Sequence, residues 1–437
     1  MGGLPPRAGR ARPFPPPAPL ASRAAAAALV VAVAVACSGG GFTGSSSGST
    51  CGSRVVKIAA DFPLTGADAL LGLPAAHGAQ YAVESKACVA GYKLAFQAYD
   101  DASPATGAHD PSTGVANVEK LLADPQVLGL VGPLDSNVAR AELPTANVNN
   151  LAMVSPSNTD ECLTQALPYC AVPPAQLRPS GTNDYFRLAA DNTLQGPAAA
   201  DFVTDTLKVP AVAVVSDNET LGRGVADSFS RELRARGGRV VLRQDFDWRQ
   251  DNDYATFFQL AKQQGAAAVF AGMTSQTHAG TVRAAMNGVL AVPFVGPDGI
   301  VDAQSVKDAG ANADGMYGLV TVGDATQSAD PAVKAVVARY RKRFPDPADL
   351  SAFTFPSYDA AALLIDAIGR AFSAAGGFPT RKQVVAAVAA TKGFKGTTGT
   401  FSFTPDGDAT EPTFSVWKVS GGTWVFATQF PEPRKTP

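Results

Sequence analysis

Between Val127 and Thr164 the chain reads as two strand–turn–helix units in succession, and this alternation constrains the fold more than any other feature. Val127–Val131 is a short apolar run closed by Gly132-Pro133. Ser136 and Asn137 then open an amphipathic segment that runs to about Val148. Leu151–Val154 is the next apolar run, ended by Ser155-Pro156-Ser157-Asn158-Thr159. Strands alternating with helices of this length imply a parallel sheet. Ligands of such sheets collect at the carboxyl ends of the strands, where these turns lie. Ser136 and Thr159 each set a hydroxyl beside spare backbone N–H groups, a combination that suits a carboxylate. Both are also ordinary helix caps, and capping accounts for either one taken alone.

The alternation runs through the rest of the chain. Val55–Ala60 reads as the first strand, Asp61–Gly66 as a turn and Pro74–Lys86 as a helix. Tyr92–Tyr99 is a strand ending in Asp100-Asp101, and Pro111–Ala123 is a helix. The two adjacent acids could form an acid/base pair, but capping the following turn is the better reading. Thr164–Asn183 is an irregular insertion with four prolines. Strands at Pro210–Val215, Val240–Phe246, Ala266–Ala271 and Val292–Gly296 then alternate with helices at Gly222–Arg236, Asp253–Gln264 and Gln276–Gly288. That is a second doubly wound domain. Gly315–Val322 returns to the first, followed by helices at Pro331–Phe344, Ser357–Ala375 and Arg381–Thr391. Gly396–Phe403 reads as a further crossing, and a hairpin around Gly421-Gly422 ends the body.

Composition narrows the function classes. The 437 residues are 46% apolar and 17% charged, with a formal charge of −2, so the chain has ample core and no electrostatic case for nucleic acid. Residues 1–36 read as a signal peptide: a basic, proline-rich start, then the apolar run Ala24–Ala36, too short to span a bilayer comfortably. Cys37 follows, and residues 37–53 form a Gly/Ser/Thr-rich tether. The pattern resembles a bacterial lipoprotein, exported and held at the outer face of the membrane by lipid on Cys37; an ordinary cleaved signal is the alternative. Setting Cys37 aside leaves Cys51, Cys88, Cys162 and Cys170, which suggests two disulfides in an exported chain. Three pairings are open. Cys162–Cys170 across a short proline-containing loop is favoured, with Cys51–Cys88. No C-x-x-C occurs and His77, His109 and His278 are scattered, so neither a metal nor a cofactor is expected.

The run VGPLDSN followed by VSPSNTDECLT resembles the first lobe of the periplasmic binding proteins for leucine, isoleucine and valine. The similarity continues in the PLTG turn with Gly72, in the YDD strand end, in the run from Arg187 through Asp191 to Gln195-Gly196-Pro197, in Asp217 with Leu221-Gly222-Arg223-Gly224, and in Gly296-Pro297-Asp298-Gly299. The resemblance implies an α/β fold of two doubly wound parallel-sheet lobes joined by three crossover segments. Lobe 1 would comprise 54–192 and 323–403, and lobe 2 193–322 and 404–430. It also implies that Ser136, Thr159 and the backbone of Asn158 hold a ligand carboxylate, that Asp298 holds its ammonium, and that Thr193 faces the cleft. The family's aromatic walls are replaced here by Leu71, Leu221 and the segment containing Thr274. The implied protein captures a small zwitterion, such as a branched-chain or related amino acid, for the membrane permease of an ABC transporter, acts as a monomer and is not an enzyme. The competing readings are a hydrolase using Ser136 and a ligand-sensing module. The first lacks a G-x-S-x-G motif and has His109 and His278 on polar segments expected to be exposed. The second lacks a signalling domain.

Overall fold

The computed structural model describes residues 51–431, so the expected signal peptide, Cys37 and most of the tether lie outside the described residues. The body begins with β1 (Val55–Phe62), α1 (Ala69–Lys86), β2 (Cys88–Val89) and β3 (Tyr92–Asp100). A small ladder, β4 (Ala102–Ser103) with β5 (Ala108–His109), leads into α2 (Pro111–Leu122). Next come β6 (Val127–Val131), α3 (Ser136–Val148), β7 (Ala152–Ser155), the one-turn α4 (Pro174–Leu177) and β8 (Tyr185–Arg187). The strands pair in the order β2-β3-β1-β6-β7-β8, all parallel except β2. Every residue of β6 and β7 is buried, as a parallel strand covered on both faces requires.

The second sheet follows α5 (Asn192–Asp201) and uses β9 (Ala211–Ser216), α6 (Thr220–Ala235), β10 (Arg239–Asp245), α7 (Tyr254–Gln263), β11 (Ala268–Gly272), α8 (Ala279–Ala284), β12 (Phe294–Pro297), α9 (Ala303–Ala309) and β13 (Met316–Val320). The chain then forms α10 (Pro331–Arg343), α11 (Thr354–Ala375), α12 (Arg381–Ala389), β14 (Phe394–Lys395) and β15 (Thr400–Phe401). It ends in β16 (Thr413–Ser420) and β17 (Thr423–Pro431). The second order is β10-β9-β11-β12-β13-β16-β17, parallel as far as β13 and antiparallel beyond it.

Each sheet has its own core. On the first, Ala75 and Ala79 of α1 pack with Leu364 and Ile368 of α11 on one face, while Val118 of α2 and Leu143 of α3 cover the other. On the second, Phe229 of α6 stacks on Phe270 at 3.9 Å between ring centroids, and Phe258, Val282 and Met286 cover the opposite face. Local signals set several helix starts. Asp110 accepts from the N–H groups of Ser112 and Thr113 ahead of Pro111, and Thr380 with Gln383 makes a capping box.

The segments between sheets bind one another. Arg187 N–H donates to Gly407 O at 3.0 Å, Ala190 N–H to Thr321 O at 3.2 Å, and Ser415 Oγ to Val322 O at 2.8 Å. Arg187 is fully buried beneath them, with Nε 2.7 Å from Asp408 Oδ1 and Nη1 2.7 Å from Asp160 O. Gly396–Phe403 is not a crossing, contrary to the sequence expectation. Phe401 lies in the first core, and the buried Asp359 accepts from Thr397 N and Thr398 N at 2.7 and 2.8 Å, so this stretch folds back on the first sheet. The third crossing follows it, around Gly407 and Asp408. Helix α1 starts at Ala69, five residues before the expected Pro74, and α8 covers only six residues of the stretch expected to be helical. The disulfides are Cys51–Cys88 and Cys162–Cys170.

Candidate functional site

The two hydroxyl-bearing turns at the ends of β6 and β7 are sewn together. Ser155 Oγ donates to Pro133 O at 2.9 Å, and Ser157 Oγ and Asn158 Nδ2 each reach Leu134 O at 2.7 Å. Asp160 N–H donates to Ser136 Oγ at 3.3 Å, which leaves the Ser136 hydroxyl proton free to be given away. The backbone N–H of Asn158, expected to face a ligand, donates instead to Ser155 Oγ at 3.1 Å, and its side chain is held by Leu134 O and Tyr185 Oη. Thr159 is 1% exposed and its hydroxyl has no partner among the described residues, an arrangement that is costly unless something else meets it.

The first turn of α5 connects these turns to the second sheet. Asn192 N–H donates to Thr159 O at 2.7 Å, and three residues later Gln195 Nε2 donates to Asp298 Oδ1 at 3.2 Å. Thr159 and Asp298 are thus both held by the first turn of α5. Asn192 Oδ1 and Gln195 Oε1 are both buried without a partner there. Sequence reasoning missed both residues; Gln195 stood in the Gln195-Gly196-Pro197 run, which was read only as marking a crossing.

Asp298 follows β12 and is 4% exposed. Gly299 N–H at 3.0 Å and Thr321 Oγ1 at 3.3 Å complete its hydrogen bonds. Burial still outweighs these donors and pushes its carboxyl up to about 6. Nearby, Thr277 Oγ1 donates to Asp217 Oδ2 at 2.8 Å and accepts from Thr274 N–H at 2.9 Å, so Thr274 belongs to the turn that supports Asp217.

Two cavities border these segments. One, about 590 Å³, is lined by Thr193, Arg140, Glu161, Asn218 and Arg223 and mixes both charges. The other, about 560 Å³, is lined by Leu71 with Val301, Phe355, Trp417 and Trp424 and is mainly apolar. Leu71 and Leu221 are therefore not brought together: Leu71 is in the apolar cavity, while residues flanking Leu221 line the charged one. Aromatic rings do wall a cavity here, but they come from Phe355 and the β16–β17 hairpin.

His109 does not sit on an exposed segment as expected. It is half-buried, with Nδ1 2.8 Å from Asp68 Oδ2 and 3.5 Å from Asp135 Oδ2, while its Nε2 lies 3.1 Å from Asn137 Nδ2. Asp100 does cap its turn, accepting from Leu64 N at 2.8 Å and Ala102 N at 3.0 Å.

Residues 55–423 match the sequence profile of the periplasmic binding proteins. The leucine-, isoleucine-, valine-, threonine- and alanine-binding protein of Pseudomonas aeruginosa is 26% identical over 366 residues, covering 83% of this chain and 89% of that one. The branched-chain amino acid transporter substrate-binding protein LivJ of Streptococcus pneumoniae, solved with isoleucine, superposes with a TM-score of 0.72 at 22% identity, covering 87% of this chain and all of that one. A Rhodopseudomonas palustris solute-binding protein solved with 4-hydroxybenzoate gives 0.70 at 19% identity over 87% and 98%. With the profile spanning both sheets and all three crossings, the chain belongs to the periplasmic binding protein family.

Proposed function

We propose that this protein is the substrate-binding component of an ABC uptake transporter and captures a small zwitterion, an amino acid, between two closing lobes. The observation that carries the reading is that the first turn of α5 holds unlike groups from the two sheets. On one side stand the unpartnered Thr159 hydroxyl and the donor-ready Ser136, and on the other the buried acid Asp298. A carboxylate suits the first side and an ammonium the second. The buried acid also argues against a simple aromatic acid as ligand, because such a molecule brings no cation to meet it. Residues 54–192 with 323–403 and 193–322 with 404–430 form the lobes that close, since a ligand gripped from both sides favours the closed state. Leu71, Leu221, Thr193 and Thr274 shape the surrounding walls.

The reading places the protein outside the cytoplasm, carried by the signal at 1–36, tethered by lipid on Cys37 and acting as a monomer beside its permease. No helix among the described residues is long and apolar enough to cross a membrane. The hydrolase alternative has no geometric support at Ser136, whose oxygen accepts from Asp160 N–H while His109 is engaged by Asp68 and Asn137. Isothermal titration against each of the common amino acids and 4-hydroxybenzoate tests the proposal. Saturable binding of at least one amino acid is expected. Binding of 4-hydroxybenzoate alone, or of none, would sink it.

A further inference from the structure

The carboxyl edge of the first sheet carries a second group of side chains that the ligand cleft does not use. Asp61 ends β1, Asp68 precedes α1, Asp101 follows β3, Asp135 precedes α3, and Glu142 lies within α3. Asp61, Asp101 and Glu142 are fully buried, and Asp68 is 1% exposed. Their protein partners are few. Asn117 Nδ2 donates to Asp61 Oδ1 at 3.0 Å, and His109 meets Asp68 Oδ2 through its backbone N–H at 2.9 Å and its ring Nδ1 at 2.8 Å. Asp68 Oδ1 and both oxygens of Asp101 are buried with no hydrogen-bond partner among the described residues, Asp135 Oδ2 has the His109 ring at 3.5 Å, and Asp61 and Glu142 bond each other.

These groups face one another. Donor atoms of Asp68, His109 and Asp135 all lie within 4.8 Å of each other. The Asp101 carboxyl is close enough to Asp61, Asp68, Asp135 and His109 to feel the charge of each, and Glu142 is within hydrogen-bonding reach of Asp61. The exposed Lys120 spends its ammonium on Asn117 Oδ1 at 3.2 Å. Five carboxyl groups thus share one imidazole in a buried volume. Buried carboxylate oxygens are normally paired or coordinate a metal. Asp68 is the decisive member: it is 1% exposed, it belongs to the converging trio, and its Oδ1 has no partner among the described residues.

We infer that this edge of the first lobe binds a divalent metal cation between Asp68, His109 and Asp135, with the buried carboxyls of Asp61, Asp101 and Glu142 close by. An oxygen-dominated donor set with one imidazole and no thiolate suits a hard or borderline ion such as Mn²⁺, Ca²⁺ or Mg²⁺. The site is independent of the amino-acid ligand. Asp135 immediately precedes Ser136 at the start of α3, so an ion here would brace the helix that presents Ser136 to the cleft.

The test uses the full chain, stripped with chelator and dialysed against millimolar MnCl2, with bound Mn²⁺ counted by atomic emission. One Mn²⁺ per chain is expected, and Asp68→Asn and Asp135→Asn should each retain it at least about tenfold more weakly. A second measurement needs no variant to fold. With histidine-selective isotope labelling, Mn²⁺ should broaden the His109 ring signals while those of His77 and His278 stay sharp. Failure to take up Mn²⁺ would mean that protons alone satisfy the carboxyls. Uptake unchanged in both folded variants, or equal broadening of all three histidines, would mean adventitious surface binding. Either result overturns the inference.

Discussion

The two lobes place acids at the same topological position, the carboxyl edge of a parallel sheet, and treat them in opposite ways. In the second lobe each acid is met by neutral donors. Asp217 accepts from Thr277 Oγ1 and from Glu219 N–H at 2.9 Å, Asp298 from Gln195, Gly299 and Thr321, and Asp302 from Ser305 N–H at 2.7 Å. In the first lobe Asp101 has no such donor among the described residues, and Asp61 has Asn117 and a hydrogen bond shared with the acid Glu142. Burial pushes Asp217 and Asp298 up to about 6, whereas Asp101, crowded by other acids as well, is pushed up to about 9. A fixed set of dipoles keeps a carboxylate ready for a transient ligand ammonium. An acid cluster without dipoles needs a resident positive charge. The edges of one fold can therefore be prepared for different occupants by the residues one turn away.

The largest effect that would sharpen this contrast belongs to Asp298. Asp298→Asn should weaken binding of the best amino acid by about 2–5 kcal/mol, because it leaves a buried ammonium unpaired. That is about 30-fold to several thousandfold in affinity. A titration showing less than about a threefold change would place the ammonium elsewhere.

Support for the second lobe's dipoles comes next. Thr277→Val removes the hydroxyl donor to Asp217, and the folded state should lose about 1–3 kcal/mol in denaturant unfolding at neutral pH. An unchanged midpoint would show that this edge is not held by its donors.

Acidity should separate binding from stability. Asp298 must be ionised to hold an ammonium, and its carboxyl is raised to about 6. Affinity should be flat above about pH 6 and fall about tenfold per unit below it, as a proton must leave before the ligand binds. The same raised carboxyl acts on the unliganded fold with the opposite sign. Between about pH 6 and its ordinary value of 3.8 the folded state binds the proton and the unfolded state does not, so this group adds stability as pH falls. Affinity that is level from pH 7 down to 5 would remove Asp298 from the ligand's charge.

The smallest effect tests the first lobe. Burial and the neighbouring Asp61 and Asp101 push Glu142 well above the ordinary carboxyl range. In chelator, Glu142→Gln should raise stability at neutral pH by about 1 kcal/mol, because folding no longer has to take up a proton at this position. With MnCl2 present the wild type should regain that margin. A variant destabilised in chelator would show that Glu142 is already well satisfied by the protein.

The fold was legible because its signals are local and repetitive. Val127–Val131 and Ala152–Ser155 are buried apolar runs between turns of Gly, Pro, Ser and Asn, and the α3 helix runs from Ser136 to Val148 as its pattern predicts. Of the three disulfide pairings open to the sequence, the favoured one forms, a short loop closing on itself and the remainder joining the start of the body. Those features depend on the period of a segment and on its immediate neighbours. What tertiary structure alone decided is which polar atoms meet. Asn158 N–H turned inward to Ser155, Gln195 crossed to Asp298 from 103 positions away, and the aromatic wall came from the terminal hairpin rather than from Leu71 or Leu221. Asp61, Asp101, and the pair Asp135 and Glu142 of α3 come from three separate stretches of chain, each ordinary by itself. Only the closing of the sheet puts them in one water-poor volume, where an acid's cost is set by its neighbours in space rather than in sequence.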